Sequence, residues 1–349
     1  MMSTATRWQK TVLGDCQRLA LTDAVVESHP STVSDALDLG VRLSSGGARP
    51  GVGNTADLWS ALATAASHDL QTARAMEPHL DAASIMAEAA AAEQLTPDVG
   101  ELGRTWGVFA AEGAGVRLVA TSSRDGWELT GVKPWCSLAG TVDAALVTAW
   151  VGEARGLFAV RLRQAGVAVD EGSWHARGLV DIRSGPVSFD RVHAVPVGEV
   201  GWYFARPGFA WGGLGVAACW YGGAVGIARS VLRQAHAQDP VATMDVHLGA
   251  MDELLTASRT ALGDAAAAID SGSVDDPALL AKRVRGLVAR TCEEVLWRAG
   301  HALGPGPLAT DGDHAQRVAD LQLYIRQHHA ERDQESLGRA IRTTAREPW

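Results

Sequence analysis

Proton-transfer groups gather near the carboxyl end of the chain, in Gln327-His328-His329-Ala330-Glu331-Arg332-Asp333. An imidazole changes charge close to neutral pH, so His328 or His329 can pass a proton under physiological conditions. Glu331 can do so where burial raises its pKa toward the working range. The same composition also suits a solvated, charge-rich helix end. Further upstream, Trp135-Cys136-Ser137 sets an indole and a hydroxyl two positions apart. Ala110-Ala111-Glu112-Gly113-Ala114-Gly115, just after Phe109, is a run of small residues around one carboxylate. Small residues let a backbone come close to a ligand, and successive N–H groups can cradle an anion.

Several chemistries are excluded. Gly212-Gly213-Leu214-Gly215, followed by Gly222-Gly223 and Gly226, imitates a dinucleotide fingerprint. No strand of the right type precedes it and no acidic residue follows at the required distance, so close helix packing explains these glycines. Cys16, Cys136, Cys219 and Cys292 are scattered without a CxxC pair, which removes zinc and dithiol readings and suits reduced thiols in the cytoplasm. The formal charge is −9 and no basic run occurs, which argues against nucleic acid. No apolar stretch is long enough to span a bilayer.

Residues 1–105 are expected to be helical. Leu58, Leu62, Ala65, Ala66 and Leu70 recur at helical spacing, and a second helix is expected from Asp81 to about Gln94. Residues 106–203 hold short β-rich runs, 116–120, 127–130, 144–150, 157–162 and 185–189, punctuated by Gly and Asp, which predict antiparallel strands joined by tight turns. Residues 204–349 return to helix, over Phe209 to about Gln238 with Pro240 as its stop, Met244–Asp270, Pro277 to about Leu303, and Ala315 to about Ala345. Segregated helices and strands make an α+β chain.

Three segments resemble the acyl-CoA dehydrogenase superfamily. Gly131-Val132-Lys133-Pro134-Trp135-Cys136-Ser137 resembles its G-x-K-x-W-[IV]-[ST] segment, Ala110–Gly115 its T-E-P-x-x-G-S-D loop, and Val187-Ser188-Phe189-Asp190-Arg191-Val192 through Pro196 its V-x-F-D-x-V-x-V-P segment. The resemblance implies an N-terminal helical domain, a central antiparallel β-domain and a C-terminal four-helix bundle. It implies FAD as cofactor, with Phe109, Ala110, Ala111, Gly115, Trp135 and Ser137 at the flavin, and Gly304 and Gly306 standing for its G-G-x-G-Y segment. Trp135 would pack near the ring and Ser137 would meet its N5 edge. Ala111 stands where the family has Thr, and 234–240 lacks the family's Arg-Phe-Gly. Both departures loosen the expected hold on FAD.

The resemblance further implies α,β-dehydrogenation of an acyl thioester or related small molecule in a homodimer or homotetramer. The usual Glu-Gly-Thr base is absent, which leaves His328, His329 or Glu331. Two alternatives stand beside it. One is a reduced-flavin monooxygenase of the same fold. The other is a catalytically inactive paralogue acting as a binding or assembly subunit.

Overall fold

The computed structural model describes residues 8–14, 18–124, 126–170, 172–237, 239, 241–344 and 347, so Cys16 and the expected stop at Pro240 lie outside it. Helices open the chain: α1 (Ala20–Ser28), α2 (Val33–Ser45), α3 (Thr55–His68) and α4 (Leu70–Ala91). Thr32 and Asp35 form a capping box at the start of α2. α4 begins at Leu70, well before the expected Asp81. The Asp69 carboxylate fixes that start by accepting from Gln71 N–H at 3.0 Å and Thr72 N–H at 3.3 Å. The helix carries Pro78 in its interior. Beyond its end, Glu93 takes a left-handed φ of 55° and Gln94 N–H returns to Ala89 O at 2.8 Å.

Among the described residues seven strands follow: β1 (Trp106–Phe109), β2 (Leu118–Ser123), β3 (Gly126–Lys133), β4 (Ala144–Val151), β5 (Ala154–Arg161), β6 (Val167–Val169) and β7 (Val187–Val197). β2–β3, β3–β7, β7–β5 and β5–β4 pair antiparallel. β4 then meets β2 in parallel at Val119↔Trp150, which closes a ring of five strands. β1 also lies parallel to β4, and β6 adds to β7. The sheet is therefore mixed, not wholly antiparallel as expected. The cause is local. Asp143 N–H and Ala144 N–H both donate to Thr105 O, while Thr105 N–H donates back to Asp143 Oδ2 at 2.9 Å. β1 and β4 thus start side by side and must run the same way.

The last third holds α5 (Trp202–Ala205), α6 (Gly208–His236), α7 (Ala242–Asp270), α8 (Pro277–Leu303), α9 (Gly306–Thr310), α10 (Gly312–Tyr324) and α11 (Glu331–Thr343). The helix expected over 315–345 is broken in two. A 3₁₀ turn, Ile325–Gln327, follows α10, His328 is extended, and Ala330 takes φ 43° before α11 begins. α10 packs against α6, and α11 packs against α8. α6 crosses α3 with backbone against backbone: a Cβ on Gly222 would lie 2.2 Å from Ala63 O, and one on Gly226 2.5 Å from Ser67 O. Among the described residues no helix is long and apolar enough to cross a membrane.

Candidate functional site

Trp135 sits on a turn whose shape is enforced from outside. Trp135 and Leu138 adopt left-handed φ values of 59° and 57°, a conformation that persists only where neighbours impose it. Cys136 N–H donates to Gly185 O at 3.0 Å and Leu138 N–H to Arg183 O at 2.8 Å. The indole of Trp135 is left 59% exposed. The loop 110–115 packs beside it, with a Cβ on Gly113 placed 3.0 Å from Pro134 Cγ. Buried Lys133 ties that loop to β3 and β4, donating from Nζ to Glu112 Oε1 at 2.7 Å and Thr148 Oγ1 at 2.8 Å. Glu112 is thus an anchor within the protein.

The Ser137 hydroxyl accepts a hydrogen bond from Arg74 Nη2 at 2.9 Å and lies 2.8 Å from Ser184 Oγ. Arg74 comes from α4. Its Nη1 is 3.5 Å from Glu77 Oε2, and its guanidinium stands 5.5 Å from the Tyr324 ring centroid. One turn on, Glu77 opens onto a cavity of about 720 Å³ whose wall includes Asp81, Tyr203, Arg206, Arg285 and His328. A neighbouring cavity of about 500 Å³ shares Asp81, Arg206 and Gly212 with it. Gly212 leaves room for the Asp81 carboxylate, since a Cβ would come within 2.6 Å of Asp81 Oδ1.

Charge in the cavity is arranged in depth. Burial pushes the Glu77 carboxyl up to about 7, with the Arg74 charge pulling the other way. Burial likewise raises Asp81, against the Arg206 charge. Arg206 itself donates to Glu88 Oε2 at 2.6 Å and covers the Tyr203 ring at 5.1 Å. Arg285 covers Trp220 at 4.7 Å. His328 Nδ1 accepts from Ala330 N–H at 3.2 Å, so the neutral ring carries its proton on Nε2. Nε2 is 3.7 Å from Asp333 Oδ2. Burial lowers the His328 pKa, and Asp333 opposes it. The neutral imidazole on the cavity wall is therefore a donor through Nε2.

No family model matches the sequence, and neither does any curated protein. Solved structures do match. Butyryl-CoA dehydrogenase from Megasphaera elsdenii superimposes with a TM-score of 0.76 at 16% identity, over 94% of this chain and 99% of its own. KijD3, solved with FMN and dTDP-3-amino-2,3,6-trideoxy-4-keto-3-methyl-D-glucose, gives 0.75 at 16% identity, over 94% and 93%. TdsC from Paenibacillus sp. A11-2, a dibenzothiophene monooxygenase solved with FMN and indole, gives 0.73 at 17% identity, over 94% and 97%.

The chain has the acyl-CoA dehydrogenase fold.

Within this fold the expected site residues separate into groups. Ala110, Ala111, Gly115, Trp135 and Ser137 fall on the adjoining loop and turn, and buried Phe109 lies at the end of β1 beneath them. Gly304 caps the end of α8 and Gly306 opens α9. α8 has 27 residues, about 40 Å at 1.5 Å per residue, and its opposite end at Pro277 is the one lining the cavity. Within one chain the two glycines are thus remote from it. His328 lines the cavity, whereas His329 and Glu331 are exposed.

Sequence reasoning missed Arg74, Glu77, Asp81, Arg206 and Arg285. A signal existed on α4: Arg74, Glu77, Asp81 and Glu88 recur at helical spacing on a helix otherwise rich in Ala, Leu, Ile and Met. Starting that helix at Asp81 concealed it.

The residues fit the planar ring of a flavin. Exposed Trp135 is a flat apolar surface, and the position of a Cβ on Gly115, φ 76°, has nothing within 4 Å. Ala110 and Ala111, and Gly304 and Gly306, bring no side-chain donor for a pyrophosphate or an adenine.

Proposed function

We propose that this chain is a flavin-dependent oxidoreductase acting on a small molecule held between α4, α6 and α8. One observation carries the reading: a hydrogen bond links the Trp135 turn, through Ser137, to Arg74, and Arg74 lies 3.5 Å from Glu77 on the cavity wall. A redox site needs this adjacency, because the cofactor and a proton-transfer group must both reach one substrate. A bound flavin supplies hydride acceptance or, when reduced, oxygen activation.

The residues divide the remaining work. Trp135 gives the ring an apolar wall. Tyr203, Phe204 and Phe209, with ring centroids 4.9 to 5.5 Å apart, exclude water from the cavity mouth. Glu77 takes the substrate proton, since burial holds its carboxyl at about 7, where a base works best near neutrality. His328 serves as a hydrogen-bond donor through Nε2, because its one lone pair is engaged by Ala330 N–H. This moves the base from 328–331 to α4. The finer reading is α,β-dehydrogenation of an acyl thioester or related substrate with FAD.

A second reading, oxygenation with reduced flavin, is favoured by the missing side-chain donors at Ala110, Ala111, Gly304 and Gly306. Their absence suits a cofactor of FMN size, and KijD3 and TdsC were both solved with FMN. Val246 and Trp297, exposed on α7 and α8, support assembly of a homodimer or homotetramer through these helices. Buried, unpaired Cys136, Cys219 and Cys292 support a reducing, cytoplasmic setting.

Anaerobic titration of the flavin-loaded protein with short, medium and long acyl-CoA thioesters separates the readings. Bleaching of the visible band supports dehydrogenation. No bleaching, with oxygen uptake when reduced FMN is supplied, selects oxygenation. Flavin binding with neither response contradicts both.

A further inference from the structure

We infer that the cofactor-facing donor at the Trp135 turn is the Arg74 guanidinium, and that Ser137 offers that position only an acceptor. The inference rests on the flavin reading and replaces the role that the sequence resemblance gives Ser137.

Hydrogen accounting carries it. Ser184 Oγ donates its one hydrogen to Ile182 O at 2.9 Å. In the 2.8 Å contact between Ser137 Oγ and Ser184 Oγ, either oxygen can be the donor by geometry alone. With the Ser184 hydrogen placed on Ile182 O, the network assigns Ser137 as the donor to Ser184. A hydroxyl has one hydrogen, so Ser137 has none left for a ligand. Its oxygen in turn accepts from Arg74 Nη2 at 2.9 Å. The polar order is then Arg74 to Ser137 to Ser184 to Ile182 O, with all donation running away from Arg74.

Arg74 retains capacity. A guanidinium has five N–H groups. Nη2 uses one on Ser137, and Nη1 reaches Glu77 Oε2 only at 3.5 Å, the outer limit of a hydrogen bond. The group is planar and permanently charged, is only 12% exposed, and lies 5.5 Å from the Tyr324 ring centroid. A fixed cation in a partly buried place stabilises negative charge far more than a serine hydroxyl does. Reduction adds negative charge to a flavin. Arg74 is accordingly predicted to tighten binding of the reduced form over the oxidised form, and Ser137 to act as the positioning residue that aims it.

The test measures oxidised- and reduced-flavin dissociation constants and the midpoint potential of the bound flavin. It uses the wild-type protein, Arg74→Met, Arg74→Lys and Ser137→Ala. Arg74→Met is expected to weaken binding of reduced flavin at least about tenfold more than that of oxidised flavin, which for a two-electron couple lowers the potential by about 30 mV. Arg74→Lys, which keeps the charge, should restore most of that ratio, and Ser137→Ala should shift it less than Arg74→Met does. A ratio unmoved in both Arg74 variants, or one moved chiefly by Ser137→Ala, overturns the inference while leaving the flavin reading intact. Failure of the wild-type protein to bind either form of flavin overturns the reading and the inference with it.

Discussion

At the scale of single residues, the chemistry depends on contacts between distant parts of the chain. Trp135 and Ser137 could be picked out as a pair because they are neighbours in sequence. Arg74 and Glu77 could not be attached to them, since Arg74 and Ser137 stand 63 positions apart in sequence and only the docking of α4 against the turn after β3 joins them. His328 was visible as a type but not as a role. Its tautomer follows from the Ala330 N–H, which points at Nδ1 only because the backbone turns there. A consequence concerns Glu77. Burial raises its pKa above the unfolded value, so the folded site keeps its proton up to about pH 7 and a base function appears only above that. Turnover is therefore predicted to rise through neutral pH. Glu77→Gln should lower kcat by about 100-fold or more and remove this rise. A Glu77→Gln pH–rate profile that keeps both its height and its limb would rule the residue out as the base.

At the scale of elements, periodicity and stop signals read well where packing agrees with them. α7 and α8 run over Ala242–Asp270 and Pro277–Leu303, close to their expected spans, because Pro277 and the cap at Asp276 are local signals. The break between α10 and α11 has no such signal. It turns on Ala330 in a positive φ, which a non-glycine residue does not advertise. β1 was missed because four residues, Trp106–Phe109, are too few to show alternation. The glycines of α6 were legible as packing residues, and their spacing matches the close approach of α3. Two substitutions separate their role from simple helix propensity. Gly222→Ala places a methyl group against Ala63 O and is expected to cost about 1–3 kcal/mol through overpacking. Gly249→Ala, on α7 with nothing within 4 Å, should stabilise by about 0.5–1 kcal/mol. Urea midpoints for the two variants check this. A Gly222→Ala protein as stable as wild type would mean that α3 and α6 can part without loss.

At the scale of the whole molecule, the resemblance of three short segments pointed to an arrangement that spans 94% of the chain in the structural comparisons. It worked because two of those segments lie on or directly after strands β3 and β7 of the five-strand ring, and the third, Ala110–Gly115, packs against the turn that follows β3. It did less well on the flanks. The helical layers are built from Ala- and Leu-rich faces that many sequences satisfy, so the charged stripe of α4 and the cavity it lines needed three dimensions to be seen. Flavin binding at the Trp135 turn underlies every role assigned above. The direct measurement is the titration of the purified protein with FMN and FAD, oxidised and reduced, followed by the visible spectrum and by indole fluorescence. Saturable uptake of one flavin per chain, with fluorescence quenching that is lost in Trp135→Ala, is the predicted result. No uptake of either flavin in either redox state would contradict the account and leave the fold serving as a binding or assembly subunit.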